Sequence, residues 1–223
     1  MTEEQWLACE DPQRLLELVR SGASDRKARL YACALARRVW DKLTQPERTA
    51  LEVAERFADG LGPPQEREAA ELALYLQPNE PSARGYGSNV YFVLCAVSSP
   101  AYPSVGHAFR YTVEAFGLRH ALADVLFRTE DKARARLLRD IFNPCHPQAG
   151  GSLPSASDGL ALAHAAYDER HLPEGALDRA RLAILADALE DAGCADAELL
   201  GHLRSPGPHV RGCWALDLIL GKS

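Results

Sequence analysis

The sequence predicts an all-α protein, and three observations support that prediction. The 223 residues include 36 Ala and 32 Leu, against 10 Val and 3 Ile. Ala and Leu favour helices, whereas β-branched residues favour strands. The 14 prolines are separated by stretches of helix length in which apolar residues recur every three or four positions. We therefore expect a compact multi-helix domain of about nine helices, with an irregular α-solenoid of helix pairs as the alternative.

Composition and charge limit the class of protein. With 47% hydrophobic and 25% charged residues, the chain is typical of folded, soluble proteins. The sequence contains no apolar run long enough to predict a membrane span. The acidic start MTEEQWLACEDPQ is unlike a secretory signal. These features predict one cytoplasmic helical domain over residues 1–223. The loops at 77–89 and 143–155 are its possible internal boundaries.

The clearest helix is predicted over residues 25–43. Its apolar residues recur at helical spacing on one face, and Ser24 precedes it as a candidate N-cap. Arg29, Arg37 and Asp41 are expected on the opposite, polar face. The pattern is therefore that of an amphipathic helix at the edge of a core.

Two further helices are expected before residue 77. Residues 47–59 follow the capping-box spacing of Thr44 and Glu47, and Gly60 is expected to end this helix. A third helix is predicted over 64–76. Its inward face is expected to be formed by Ala69, Leu72, Ala73 and Leu76.

Residues 77–104 are harder to assign. The string QPNEPSARGYGSN has the composition of a loop. The run VYFVLCAV at 90–97 is apolar on every side, so periodicity does not separate a buried strand from a buried helix. In an otherwise helical chain we favour a short helix.

The second half of the chain is predicted to be a succession of helices. Asn143 and Pro144 are expected to end one of them, Gly193 another, and Asp196 is expected to cap the helix that follows. The predicted ranges are 105–128 (as one or two helices), 130–142, 156–170, 174–192, 196–204 and 208–220.

Several segments together resemble a large group of paralogous proteins from planctomycetes and myxobacteria. The most distinctive are ASDRKARLYACALARRVW at 23–40, LLRDIFNP at 137–144 and GPHVRGCWALDLILGK at 207–222. The resemblance covers both ends of the chain, whereas the middle, about 61–130, varies within that group. It implies one cytoplasmic helical unit in a bacterial protein and implies no activity.

A metal site is one possibility that the cysteines and histidines raise. His209 and Cys213 are four residues apart, so a helix would place both on one face, and Cys194 or His202 would have to complete the set. Structural zinc sites usually contain close pairs, and the chain has no CxxC. We therefore predict no metal and no cofactor, and we expect the six cysteines to be reduced and mostly buried.

No catalytic motif is recognisable. The strings GxSxG, GxxxxGK[ST] and HExxH do not occur. Cys145 with His146, His164 or His171 as its base would be the candidate for a thiol nucleophile, without any local motif to support it. No catalytic residue is named.

Two groups of residues are candidate binding residues. Arg26, Arg29, Arg37 and Arg38 form a basic stretch that a nucleic-acid backbone could use, although the net charge of −6 disfavours such a partner. His209, Arg211 and Trp214 begin the last predicted helix, where backbone N–H groups could hold an anion. We favour a core role for that helix, with Trp214 packed inside and Arg211 paired to an acidic residue.

These observations predict a non-enzymatic protein, most simply a protein–protein interaction or regulatory scaffold module. The alternative is an enzyme, or a small-ligand or metal-binding protein, whose site is assembled from dispersed residues. The third possibility is nucleic-acid binding through residues 26–42. Another protein is the expected partner, no membrane is expected to be one, and the oligomeric state is left open.

Overall fold

The computed structural model describes residues 1–19, 22–75, 123–146 and 157–222. Within these ranges the all-α prediction is confirmed, since they hold ten α-helices, one 3-10 helix and one two-stranded sheet. The α-helices are α1 (Glu3–Ala8), α2 (Pro12–Val19), α3 (Asp25–Arg37), α4 (Gln45–Ala58), α5 (Pro64–Tyr75), α6 (Ala123–Ile141), α7 (Ser157–Asp168), α8 (Arg179–Asp191), α9 (Ala197–Arg204) and α10 (Trp214–Leu220).

The chain forms two compact units. Unit 1 comprises Met1–Ala8 and Arg136–Ser223, and unit 2 comprises Cys9–Ala135. The prediction of a single domain over 1–223 stays a prediction. The expectations for 90–97, for the loop at 77–89 and for most of 105–128 lie outside the described residues.

In unit 2, helix α3 begins where the sequence predicts. The Ser24 hydroxyl accepts a hydrogen bond from the Lys27 N–H at 3.2 Å, which satisfies one of the free amides of the first turn. The helix ends at Arg37, not at 43, and a 3-10 turn follows at Trp40–Lys42. Placing Arg29 and Arg37 on a solvent-facing side was wrong, because both side chains are buried.

Helix α4 also follows its predicted signals. The Glu47 carboxylate accepts from the Thr44 N–H, as in a capping box, and Gly60 follows the helix end with a φ of 71°. The inward face predicted for the next helix, α5, was wrong: Ala69, Leu72 and Ala73 are exposed.

Arg67 and Leu74 are the buried residues of α5 instead. The Arg67 guanidinium lies over the Phe57 ring, 5.4 Å from its centroid, and donates to Glu71 at 2.9 Å. An arginine can be buried when its charge is paired and its flat face covers a ring, so the polar residue turned inward.

Unit 1 has a core built mainly from four helices, α7 to α10. Helix α8 contacts both α7 and α9, and α10 contacts α7 and α9. The largest buried apolar residues of this core are Tyr167, Leu182, Leu185, Leu189, Leu199, Leu203, Trp214 and Leu216. The expectation that the last helix belongs to the core is confirmed by this placement.

Two predicted helix starts in the second half of the chain were wrong. Helix α6 begins at Ala123, earlier than 130, although it ends before Asn143 as expected. The helix predicted over 174–192 begins only at Arg179, after a two-stranded antiparallel hairpin of β1 (Arg170–His171) and β2 (Ala176–Leu177). Asp178 caps it, accepting from the Arg181 N–H at 3.0 Å.

The helix predicted over 208–220 is shortened for a related reason. Val210 forms an antiparallel bridge with Ala176, and the Leu177 N–H donates to the His209 carbonyl at 2.8 Å. Residues 205–213 are therefore held in irregular, extended backbone beside the hairpin, and α10 starts at Trp214.

Candidate metal centre

Four side chains of unit 1 meet at one point. Asp140 lies in the last turn of α6, His202 lies on α9, and His209 and Cys213 belong to the irregular segment before α10. Each offers one atom that can bind a metal, and these atoms all lie within 4.8 Å of one another. Asp140, His209 and Cys213 are buried and His202 is partly buried, so the group lies inside the unit.

The backbone around 205–213 brings two of the four side chains to this point. Gly207 has a φ of 81°, and a Cβ there would lie 2.9 Å from the His209 backbone nitrogen. A glycine is therefore required for the close turn that leads into His209. The bridge to β2 then fixes the backbone of His209 and Val210, and the Cys213 N–H donates to the Val210 carbonyl at 3.0 Å.

Asp140 is the centre of the hydrogen bonds in this group. Its Oδ1 lies 3.0 Å from His209 Nδ1 and 3.1 Å from His202 Nε2. Its Oδ2 accepts from the Val210 N–H at 2.9 Å. Both oxygens of a carboxylate that is 2% exposed are thus satisfied, as burial of a charge demands.

The partners of His209 favour its charged form. Nδ1 faces the Asp140 carboxylate, which only accepts hydrogen bonds, and Nε2 lies 3.1 Å from the Ser205 carbonyl and 3.3 Å from the Ser205 hydroxyl. The contacts with the carboxylate and the carbonyl favour a proton on both ring nitrogens, and hence an imidazolium. The group contains a buried ion pair between His209 and Asp140.

The pKa shifts agree with this assignment. Burial acts to lower the pKa of His209, but the hydrogen bond and charge of Asp140 raise it above its ordinary value. Burial acts to raise the pKa of Asp140, and the hydrogen bonds and charges of the two histidines outweigh it, so that this pKa lies below its ordinary value.

Cys213 completes the group as a thiol. Its Sγ lies 3.2 Å from His202 Nε2. Complete burial, together with the charge of Asp140, raises the pKa of Cys213 well above its ordinary value. The side chain is therefore a neutral thiol unless a positive ion enters the group.

This geometry does not fit a cysteine–histidine–aspartate hydrolase. In such a triad the histidine uses one ring nitrogen for the nucleophile and the other for the carboxylate. Here the same atom, Nε2 of His202, faces both Cys213 and Asp140. A thiol that is 0% exposed and has a raised pKa is also a poor nucleophile.

A tryptophan ring lies beside two histidines of unit 1. The Trp214 ring lies 5.0 Å from the ring of His202 and 4.8 Å from that of His146, between centroids. His146 is itself held by Asp196, at 2.9 Å from Nε2 to Oδ2. Trp214, which the sequence marks as a candidate binding residue, therefore packs against one member of the group and shields it.

The other candidate binding residues divide between the two units. Arg211 lies in unit 1, where its guanidinium is 3.9 Å from Asp168 and lies over the Tyr167 ring; this confirms the expected pairing with an acidic residue. Arg26, Arg29, Arg37 and Arg38 lie in unit 2. The two sets of candidates thus belong to different units.

The basic stretch of unit 2 does not form the exposed stripe that the sequence suggested. Arg26 pairs with Asp59 at 3.0 Å, Arg29 with Asp25 at 2.7 Å and Arg37 with Glu55 at 2.5 Å. Only Arg38 of the four is exposed. The guanidinium groups of the other three are committed to carboxylates inside the unit.

The cysteine expectations are met in part. Among the five described cysteines none forms a disulfide; Cys33, Cys194 and Cys213 are buried, and Cys9 and Cys145 are partly exposed. Burial and nearby carboxylates raise the pKa of Cys145, which does not favour a thiolate nucleophile. Cys194 belongs to the apolar core and is not part of the metal group.

Sequence reasoning considered His202, His209 and Cys213 as possible ligands but predicted no metal, and it missed Asp140. A signal for it exists: an aspartate in the last turn of a helix opposes the helix dipole, so it needs a compensating partner. It also lies three residues after Leu137 and directly before Ile141, on the buried side of the helix. An acidic residue in that position is evidence of a buried polar contact.

Comparisons with protein-family models, curated proteins and solved structures found no match to this chain. The resemblance to the planctomycete and myxobacterial group therefore stays a prediction. Among the described helices, none has the length and apolar character that crossing a bilayer requires.

Proposed function

We propose that unit 1 binds a divalent transition metal ion, Zn²⁺ above all, through Asp140, His202, His209 and Cys213. The observation that supports this most strongly is the convergence of four different ligand atoms within 4.8 Å. A tetrahedral zinc ion with bonds of about 2.0–2.3 Å needs its ligand atoms about 3.3–3.8 Å apart. Three of the six separations are 3.0, 3.1 and 3.2 Å, shorter than this, and none of the six exceeds 4.8 Å, so the four side chains would have to adjust around the ion.

The atoms that would not touch the metal are already held in place. His209 donates from Nε2 to the Ser205 carbonyl, which orients Nδ1 toward the centre. Asp140 Oδ2 accepts from the Val210 N–H and leaves Oδ1 at the centre. Such outer contacts are the usual means by which proteins orient metal-binding histidines and carboxylates.

The ligand types favour zinc over the hard cations. Mg²⁺ and Ca²⁺ prefer all-oxygen sites, whereas a thiolate with two imidazoles suits zinc and its transition-metal neighbours. With Asp140 and a Cys213 thiolate, the bound Zn²⁺ would be formally neutralised, which favours its burial.

A structural role follows from the number of ligands. Four protein ligands close a tetrahedral site, whereas a catalytic zinc keeps one position for water or substrate. The ion would join α6, α9 and the segment before α10, and its binding energy would add to the stability of unit 1. This role accords with a non-enzymatic protein; the scaffold function and its protein partner stay predictions.

Cobalt substitution tests the proposal directly. We expect the full chain to bind one Co²⁺ per molecule and to show the absorption of a tetrahedral cobalt–thiolate site. The Cys213→Ala variant should lose the thiolate-to-cobalt band. The Cys194→Ala variant is the matched control, because it removes a buried thiol of the same unit that lies outside the group.

Two results would overturn the metal proposal. One is a full chain that binds neither Co²⁺ nor Zn²⁺ in a direct titration, as a self-satisfied hydrogen-bonded group would behave. The other is a cobalt spectrum that Cys213→Ala leaves unchanged while Cys194→Ala alters it. Elemental analysis of protein purified without added metal gives an independent measurement of the same occupancy.

A further inference from the structure

A cavity of about 310 Å³ lies in unit 1 beside the proposed metal centre. Two of the four proposed ligands, Asp140 and His202, form part of its wall. A divalent ion in water carries about six water molecules, which at about 30 Å³ each occupy about 180 Å³. The cavity therefore has room for a hydrated ion next to two side chains that could bind it.

His202 is the most accessible of the four proposed ligands. Its side chain is 17% exposed, against 2% for Asp140 and 0% for His209, and Cys213 is also 0% exposed. The cavity wall includes His202 but neither His209 nor Cys213. An ion that passes between the cavity and the centre must therefore pass the His202 imidazole.

His202 is also the ligand with the weakest outer support. Asp140 accepts a backbone hydrogen bond at 2.9 Å through Oδ2, and His209 Nε2 lies 3.1 Å from the Ser205 carbonyl. Within the described part of the chain, both hydrogen-bonding contacts of His202 involve Nε2, at 3.1 Å to Asp140 and 3.2 Å to Cys213. The same atom would bind the metal, so His202 lacks the kind of outer contact that fixes a ligand in place.

The cavity wall carries charges of both signs. Arg136 and Arg139 line it together with the carboxylates of Asp140 and Glu198. Carboxylate oxygens are thus available along the wall as well as guanidinium groups, and charge alone does not exclude a cation from the cavity. Accessibility and the support of the ligands decide the argument instead.

We propose that the metal ion enters and leaves the centre through this cavity, and that His202 is the ligand that releases it first. The inference rests on the proposed metal function and specifies how that site exchanges its ion. The bond between the ion and Nε2 breaks as a bond forms to a water or chelator atom in the cavity, which the ability of zinc to become five-coordinate permits. The buried ion thus exchanges with solution while unit 1 stays folded.

Release of Co²⁺ from the loaded full chain to excess EDTA tests this route, with loss of the cobalt–thiolate absorption as the signal. If unit 1 had to unfold before the ion could leave, the release rate would rise about fivefold or more per molar urea, because unfolding exposes surface that urea solvates. We expect a rate nearly independent of urea below the unfolding transition. A steep rise with urea would overturn the proposal.

A variant at the rim of the cavity provides a second test. Leu7 of α1 lines the cavity and is 57% exposed, so it lies where the cavity meets solvent. Leu7→Trp should narrow the opening and slow cobalt release about fivefold, equivalent to about 1 kcal/mol of barrier. The equilibrium affinity for Co²⁺ should stay unchanged, because all four ligands are retained.

Leu160→Trp is the matched control. Leu160 is 46% exposed on α7 of the same unit and lies outside the cavity wall, so this variant should release cobalt at the original rate. Equal release rates for the two variants would overturn the cavity route. A chain that binds no Co²⁺ overturns both proposals, whereas a chain that binds Co²⁺ and releases it only on unfolding overturns this inference alone.

Discussion

The two units bury charge in opposite ways. Unit 2 buries arginines and pairs their guanidinium groups with carboxylates, such as Arg37 with Glu55. Unit 1 buries a carboxylate, Asp140, and surrounds it with two imidazoles and a thiol. The units differ in whether their buried groups can release a proton and bind a metal ion instead.

In unit 2 the arrangement is permanent. Arg37 donates to both oxygens of Glu55, at 2.5 and 2.8 Å, and its guanidinium lies over the Trp40 ring. Burial acts to lower the pKa of Arg37, but its bonds to Glu55 raise it, so the side chain stays charged at any physiological pH. A guanidinium cannot become a metal ligand, so this pair serves packing alone.

In unit 1 the buried groups can change partners. His209 and Cys213 each hold a proton that a metal ion could displace, and the freed nitrogen and sulfur are good ligands. Burial of polar groups therefore indicates a functional site only when those groups can change partners. The following predictions test this distinction, beginning with the largest expected effect.

Zinc should stabilise unit 1 and leave unit 2 unchanged. At free Zn²⁺ about a thousandfold above its dissociation constant, the gain for a folded-state ligand is about 4 kcal/mol. Hydrogen exchange of the full chain, with zinc and with a chelator, would localise the gain. We expect slower exchange in α9 and α10 and no change in α3 and α4. Equal changes in both units would contradict the assignment.

Removal of one buried arginine should destabilise unit 2 without affecting the metal. In Arg37→Ala the carboxylate of Glu55 stays buried without its partner, which costs about 3 kcal/mol or more. Denaturant unfolding measures the loss, and cobalt titration should give an unchanged spectrum. Arg56→Ala, which breaks an exposed pair with Glu66, is the control and should have a much smaller effect. Loss of cobalt binding in Arg37→Ala would refute the separation of roles.

Metal affinity should rise steeply with pH. Below the raised pKa of His209, binding releases one proton from His209 and one from Cys213, so the affinity rises about a hundredfold per pH unit, or about 2.7 kcal/mol. Above that pKa only the thiol proton is released, and the slope should fall to about tenfold per unit. Zinc titrations across this range measure both slopes. A tenfold rise in affinity per pH unit across the whole range would mean that His209 is neutral.

The metal-free unit should show the opposite dependence above neutral pH. The raised pKa of His209 gives stability that is complete below about pH 6.5 and is lost as the pH rises through the folded-state value. The lowered pKa of Asp140 gives stability that is present above about pH 3.9 and is lost as the pH falls through its folded-state value. Chelated protein should therefore melt highest between these limits.

Local signals were enough to predict several helices. Ser24, Thr44 with Glu47, and Asp196 cap helices as their spacing suggests. These predictions succeeded because a cap involves only three or four consecutive residues, so no distant contact is needed to decide it.

Two predictions that depended on distant contacts failed. Residues 208–213 have a helical pattern, but the bridge between Val210 and Ala176 holds them in non-helical backbone. The apolar pattern of α5 predicted the wrong inward face, because Arg67 packs on Phe57 instead. Periodicity describes what a segment could bury, but the partner surface decides what it does bury.

The sequence by itself determined the fold class and the helix caps, because composition and short spacings settle these properties. Only the tertiary structure decided that Asp140, His202, His209 and Cys213 meet. Asp140 lies 62 residues from His202 and 69 from His209 along the chain. No helical spacing joins atoms so far apart in sequence. The hydrogen bond between α6 and α9 and the hairpin that holds His209 bring them within 4.8 Å of one another.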